Sequence, residues 1–265
     1  MTVEASRPGV GIEPLLTPGA RSAISAPAMR WLLAPAALAW LCLLWLSGGA
    51  HTLALCVAPR PTLLDGLIAN LAAGFQSVAP AQWAIEWALM IVAMMFPLLV
   101  PMVRHVAARS FAARRERSAG LFIAGYAMVW LAAAAASSVA LVAARAMLQT
   151  LHLAPWAGLI CCGLAALWQV SAAKRRAINR CHGTVALRPW GSDADRDAIG
   201  FGILHGTRCV KSCLPVMLLP LVGGYGLPAM AAIAAVLLAE RARDKPQYRL
   251  SAVALLLIGL VSLPG

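Results

Sequence analysis

Four stretches of this chain, residues 29–49, 83–103, 120–144 and 154–173, are each apolar over about 20 residues or more, with no more than one charged side chain apiece. That length is what a helix needs to cross a bilayer core of about 30 Å, and a hydrocarbon interior offers no partner to a free amide or carbonyl. The composition agrees. Hydrophobic residues make up 61% of the chain and charged ones 12%, with mean hydropathy +0.78, against about 45–50% and about 25% for soluble domains. A soluble globular domain, a disordered chain and a collagen-like chain are thereby excluded.

Three weaker runs follow. Residues 199–222 are long enough to span but carry His205, Arg208 and Lys211 and are interrupted by Pro215 and Pro220; residues 227–239 and 250–263 are short. Charge sets the count, because short cytoplasmic loops retain Lys and Arg. With the amino end inside and strict alternation, the inner face holds Arg7, Arg21 and Arg30, the arginines of 104–117, the basic residues of 174–196 and those of 241–249. Only Arg60 and Arg145 then fall outside. The fold class is therefore all-α, a polytopic membrane bundle of seven transmembrane helices, amino end cytoplasmic and carboxyl end out. Six spans, with residues 212–239 as one helix, is the alternative, and it would place the basic stretch after Glu240 on the outer face.

The net charge of +12 would suggest nucleic acid in a soluble protein. Here the basic residues sit between apolar runs and orient helices, so nucleic acid is not a partner. Residues 1–28, with four prolines and no apolar period, form a disordered cytoplasmic tail, and residues 29–265 a single transmembrane helical domain. The first apolar run is too long for a signal-peptide core and reads as an uncleaved anchor. Leu64, Leu67, Ile68, Leu71 and Phe75 recur at helical spacing after Thr62, which predicts an amphipathic helix lying on the outer surface.

The chemistry is concentrated in the fifth run. In HGTRCVKSCLPVM, His205, Cys209, Cys213 and Met217 recur every four residues and advance about 400° per step, so they form one stripe. Thiols, a thioether and an imidazole together favour Cu(I), and less exclusively zinc. An i,i+4 cysteine pair in an intact helix stands about 6 Å apart at Cβ, too wide for a disulfide. In the second run Glu86, Met90 and Met94 share one face with Pro97, Pro101 and His105. Antiparallel alternation brings Met90 and Met94 to the level of Cys209 and Cys213, which predicts a sulfur-rich site between the second and fifth helices.

The remaining polar residues support that site. Cys181 and His182 follow the basic stretch KRRAINR in a loop, placed to pass a soft ion to or from the cytosol. Arg208 and Lys211 lie deep enough to need a partner, and Glu240 is the nearest counter-charge. Gln169 is a polar group expected to hydrogen-bond between helices. Cys161 and Cys162 point about 100° apart and read as packing, as do the isolated Cys42 and Cys56. No phosphate loop, GxSxG, HExxH, CxxC or CxxCH is present, so the chain is read as a non-enzyme.

The segments WALMIVAMMFP, GYAMVW and HGTRCVKSC, within residues 83–263, together resemble a bacterial domain-of-unknown-function family of predicted metal-binding integral membrane proteins, some labelled copper chaperones. Gln169, Lys174, Cys181 and Glu240 fall where that family places a polar residue, a lysine, a cysteine and an acid. Ser212, Cys213 and Leu214 occupy the positions where the family has two adjacent cysteines and a tryptophan, and Ala177 stands where it often has a further cysteine, so two potential thiolate ligands of the pattern are missing. The resemblance implies a multi-pass protein of the bacterial inner membrane. Residues and resemblance together predict that it binds and traffics a soft metal, Cu(I) before zinc, with the lipid bilayer and a metallochaperone or membrane-complex subunit as partners. The alternative is a non-enzymatic assembly or scaffold subunit of another membrane complex.

Overall fold

The computed structural model describes residues 29–48, 80–151, 156–181, 183–218, 227–242 and 248–261. The tail at 1–28, the amphipathic segment at 62–75, Cys56 and His182 lie outside these residues. Among the described residues the regular structure is helical throughout. A π-helical turn, Met29–Leu33, leads into α1, Ala34–Gly48. The second apolar run is divided into α2, Pro80–Met95, a 3₁₀ turn at Pro97–Leu99, and α3, Val100–Ala108. Pro97 and Pro101 have no amide hydrogen to continue the ladder, and the axis bends by 44° at the break.

A 3₁₀ turn at Ala112–Arg114 opens the 36-residue α4, Arg115–Thr150. Next come α5, Ala157–Val170, and α6, Ala172–Cys181, parted by extended backbone at Ser171 (ψ 149°). Then follow α7, Gly191–Met217, α8, Leu227–Ala242, and α9, Tyr248–Val261. Cys181 was expected in a loop. It instead closes α6, where Lys174, Ile178 and Cys181 make one buried face at i, i+4 and i+7.

By length and composition one described helix, Ala112–Leu148, can cross a membrane, and the bent α2–α3 pair makes a second if taken as one span. Arg30–Trp45, Leu159–Val170 and Tyr248–Leu257 are shorter apolar helices.

The principal packing is α4 on α7, made possible by glycine. A Cβ on Gly202 would strike the Phe122 carbonyl, one on Gly125 would come within 2.5 Å of the Ile199 carbonyl oxygen, and one on Gly206 within 3.0 Å of Val129 Cβ. Bare helix backbones thus approach closely, as small-residue motifs allow between apolar helices. Arg114 and Arg117 clasp Asp195 at 2.5 and 2.7 Å where both helices begin. The contacts advance in the same direction along both helices, from Arg117–Asp195 through Phe122–Gly202 to Tyr126–Cys209, so α4 and α7 run parallel. Around this pair α6 packs on α7, α3 on α4, α2 on α1, and α5 on α9.

Candidate metal centre

The stripe on α7 faces inward. His205, Cys209, Cys213 and Met217 are all buried, at 0, 0, 2 and 0% exposure, as four-residue spacing on a helix packed from several sides requires. Cys209 Sγ accepts hydrogen bonds from the Tyr126 hydroxyl at 3.2 Å and from Arg241 Nη2 at 3.3 Å. Cys209 and Cys213 stand one turn apart on the same buried face of α7, bridged by Ser212, whose hydroxyl reaches the Cys209 carbonyl and Cys213 Sγ. The Arg241 charge acts on Cys209, Cys213 and Cys181 alike.

Ser212 is the hinge of the arrangement. Its hydroxyl donates back to the Cys209 carbonyl at 2.9 Å and lies 3.3 Å from Cys213 Sγ and 3.7 Å from Cys181 Sγ. Its carbonyl accepts from Lys174 Nζ at 2.9 Å and Trp168 Nε1 at 3.4 Å. Two thiols from two helices, Cys213 and Cys181, are thereby gathered about one serine, which also holds the Cys209 carbonyl. Burial pushes the Cys181 thiol up from its ordinary range, while Arg241 and the Ser212 hydroxyl act the other way.

Glu240 has a different partner from the one expected. It pairs with Lys174 at 3.2 Å and accepts from Gln169 Nε2 at 2.5 Å, so Gln169 does bond between helices. Arg208 and Lys211 stand off the Cys209–Cys213 face of α7, with Lys211 exposed and Arg208 donating to the Gly183 carbonyl at 3.3 Å. The fully buried Lys174 on α6 occupies the position from which the carboxylate is reached.

His205 sits among aromatic rings, with centroids of Phe122, Tyr126 and Phe201 at 6.1, 6.0 and 6.1 Å. Met90 and Met94 are buried in the same apolar cluster as Cys209, Cys213 and Met217. However, α2 lies mainly on α1 and also against α4, whereas α7 is held chiefly by α4 and α6, with α8 and α5 beside it. The hydrogen bonds to the thiol pair come from α4, α7 and α8, and α2 supplies none of them. Glu86 is half-buried. No disulfide joins Cys42, Cys161, Cys162, Cys181, Cys209 or Cys213 among the described residues. Among the described residues no group of three or more His, Cys, Asp or Glu side chains has a metal-holding arrangement. The possible donors are thus two thiols one turn apart on α7 and a third, Cys181, one serine away from Cys213, with the Arg241 guanidinium beside them as a hydrogen-bond donor and fixed charge, not a ligand.

Sequence reasoning did not find Tyr126, Arg241 or Ser212 as members of this centre. Arg241 counted as a loop charge, yet its place one residue after Glu240 at the end of an apolar run carried the signal. The glycine pair GILHG at Gly202–Gly206, with Gly125 opposite, was the unread signal for helix approach.

These features define an all-helical protein with a buried thiol pair held beside a fixed positive charge. Residues 84–262 match the family model PpoB2, described as copper chaperone. The match covers more than half of the chain, and the protein belongs to that family, in line with the resemblance carried by WALMIVAMMFP, GYAMVW and HGTRCVKSC. No curated protein and no solved structure matches it.

Proposed function

We infer that the protein is a non-enzymatic, multi-pass protein of the bacterial inner membrane that receives Cu(I) as cargo on Cys209 and Cys213 and passes it on through Cys181. The observation that carries the reading is the burial of Cys209 and Cys213 on one face of α7, with Arg241 at 3.3 Å from Cys209 and Ser212 linking Cys213 to Cys181. Thiolates select Cu(I) among the ions that imidazole, carboxylate and sulfur sites bind. Two thiolates and one Cu(I) leave a single negative charge, which the guanidinium offsets inside an apolar surround.

Seven spans with the amino end cytoplasmic remain the topology of this reading. The parallel course of α4 and α7 supports it, because alternation requires the third and fifth spans to point the same way. Met217 continues the stripe at one end and His205 with its ring neighbours closes the other, while Met90 and Met94 add soft thioethers to the same buried cluster. Zinc is the second-ranked ion, and a metallochaperone or membrane-complex subunit is the recipient.

The test is a Cu(I) titration of the full chain in detergent against a competing chelator. Stoichiometric binding that disappears in a Cys209→Ser, Cys213→Ser double variant supports the site. Equal binding by that variant, or copurification of a stable partner without any metal affinity, rejects it.

A further inference from the structure

A cavity of about 790 Å³ lies between α6 and α7, on a different side of this helix pair from the thiols. Its walls follow helical spacing: Arg176 and Arg180 stand at i and i+4 on α6, Arg208 and Lys211 at i and i+3 on α7. All four cations line one space, and among the described residues no carboxylate lines it. Of the neighbouring arginines, Arg196 on α7 and Arg188 just before it reach Asp193 or Asp197, whereas Arg175 on α6 donates to the Val170 carbonyl. Among the described residues, the polar contacts of Arg176 and Arg208 go to backbone carbonyls, of Ala172 and Gly183. Like charges at this spacing repel unless an anion joins them. The rest of the lining is apolar, with Trp168, Leu204 and Leu214 continuing the same cavity.

We propose that this cavity binds an anionic glycerophospholipid, its phosphate held by Arg176, Arg180, Arg208 and Lys211 and its acyl chain lying along Trp168 and Leu214. A free phosphate would satisfy the cations but not the apolar wall beside them. A neutral lipid would satisfy the wall but leave four positive charges in one cavity. Basic pockets between transmembrane helices on the cytoplasmic side take anionic headgroups for this reason. The site rests on the membrane placement given above, in which residues 174–196 face the cytoplasm.

The experiment uses the full chain, purified in a neutral detergent and titrated with short-chain phosphatidylglycerol, with phosphatidylcholine and with inorganic phosphate, binding being read by native mass spectrometry. The cavity variant is Arg180→Gln with Lys211→Gln, both exposed residues whose loss leaves the packing intact. The control is Arg175→Gln with Arg196→Gln, which removes the same charge from exposed positions outside the cavity. The expected result is binding of phosphatidylglycerol in preference to phosphatidylcholine, weakened about thirty-fold in the cavity variant and unchanged in the control. Equal binding of the two lipids, equal loss in both variants, or displacement of the lipid by equimolar inorganic phosphate would overturn it. Alkaline carbonate extraction of the same membranes separates the two ideas. Release of the protein removes both the membrane placement and the lipid site, whereas retention without phosphatidylglycerol preference removes the lipid site alone.

Discussion

Arg241 Nη2 donates to Cys209 Sγ at 3.3 Å across 32 residues of chain, so the last turn of α8 closes over the thiol pair on α7. This is the one cation in direct contact with either sulfur of the pair among the described hydrogen bonds. A hydrogen bond to a charged group contributes about 1.5–3 kcal/mol. Arg241→Gln should therefore weaken Cu(I) binding about ten- to hundred-fold, with Arg241→Lys recovering part of the loss. Competition titrations of the three proteins decide it. Identical affinities would show that Arg241 is a packing residue that leaves the bound ion untouched.

The Lys174–Glu240 pair has both side chains almost fully buried, at 0 and 3% exposure, and is separated by 3.2 Å. Removing one member of a buried pair strands the other charge, at a cost of about 3–5 kcal/mol, whereas replacing both by apolar residues is close to neutral. Lys174→Met alone and Glu240→Leu alone should each lower the unfolding midpoint in detergent strongly, and the double variant should recover most of it. Additive losses in the double variant would mean that the two charges do not act as a pair. Because Lys174 also donates to the Ser212 carbonyl, the single variant should in addition loosen Cu(I) binding.

How far the sequence carried this reading differs between residues. The stripe His205–Met217 was legible because four-residue spacing fixes a face, and all four side chains are buried on it. The helical class was legible from apolar runs alone. The neighbour of that face was not, since periodicity says which side of a helix is buried and nothing about what buries it. Methionines on α2 matched in chemistry, but Gly125, Gly202 and Gly206 let the backbones of α4 and α7 come together, so that α4 lies against this helix. Glu240 was matched to Arg208 and Lys211 by nearness in depth, while the side chain that reaches it is Lys174 from a helix begun by the break at Ser171. Such a break, with extended backbone for a single residue, has no strong sequence signal in LWQVSAAK.

The α4–α7 seam gives a test independent of metal. At Gly202 an added methyl would meet the Phe122 carbonyl, which belongs to helix backbone and does not move aside. Gly202→Ala should destabilise the protein by about 1–3 kcal/mol through overpacking. Two residues earlier, Gly200 has open space around its Cβ position, and Gly200→Ala should gain up to about 1 kcal/mol from helix propensity. Thermal unfolding of the two variants beside the parent reads the contrast. A stable Gly202→Ala protein would show that the two helices are not in backbone contact.

Arg188 holds the extended stretch before α7 by a fork onto Asp197, with Nε to Oδ2 at 2.9 Å and Nη2 to Oδ1 at 2.9 Å, while its backbone amide donates to Oδ2 at 3.1 Å. These hydrogen bonds from Arg188 draw the Asp197 carboxyl down to about 2 from 3.8. A depressed carboxyl stabilises the fold wherever pH lies above its unfolded value, and that contribution fades as pH falls from about 4 through about 2. Arg188 stays charged over the whole window, its own pKa being raised by Asp197. Arg188 is exposed and Asp197 half-buried at the surface, so solvent screening keeps the effect small. Asp197→Asn should lower the unfolding midpoint slightly at pH 5, and the gap to the parent should close on acidification toward pH 2. The check is a series of unfolding curves of both proteins in one detergent at pH 5, 4, 3 and 2. A gap that stays constant across the series would show that Asp197 acts by shape, through hydrogen bonds its asparagine cannot make, and that its charge contributes nothing.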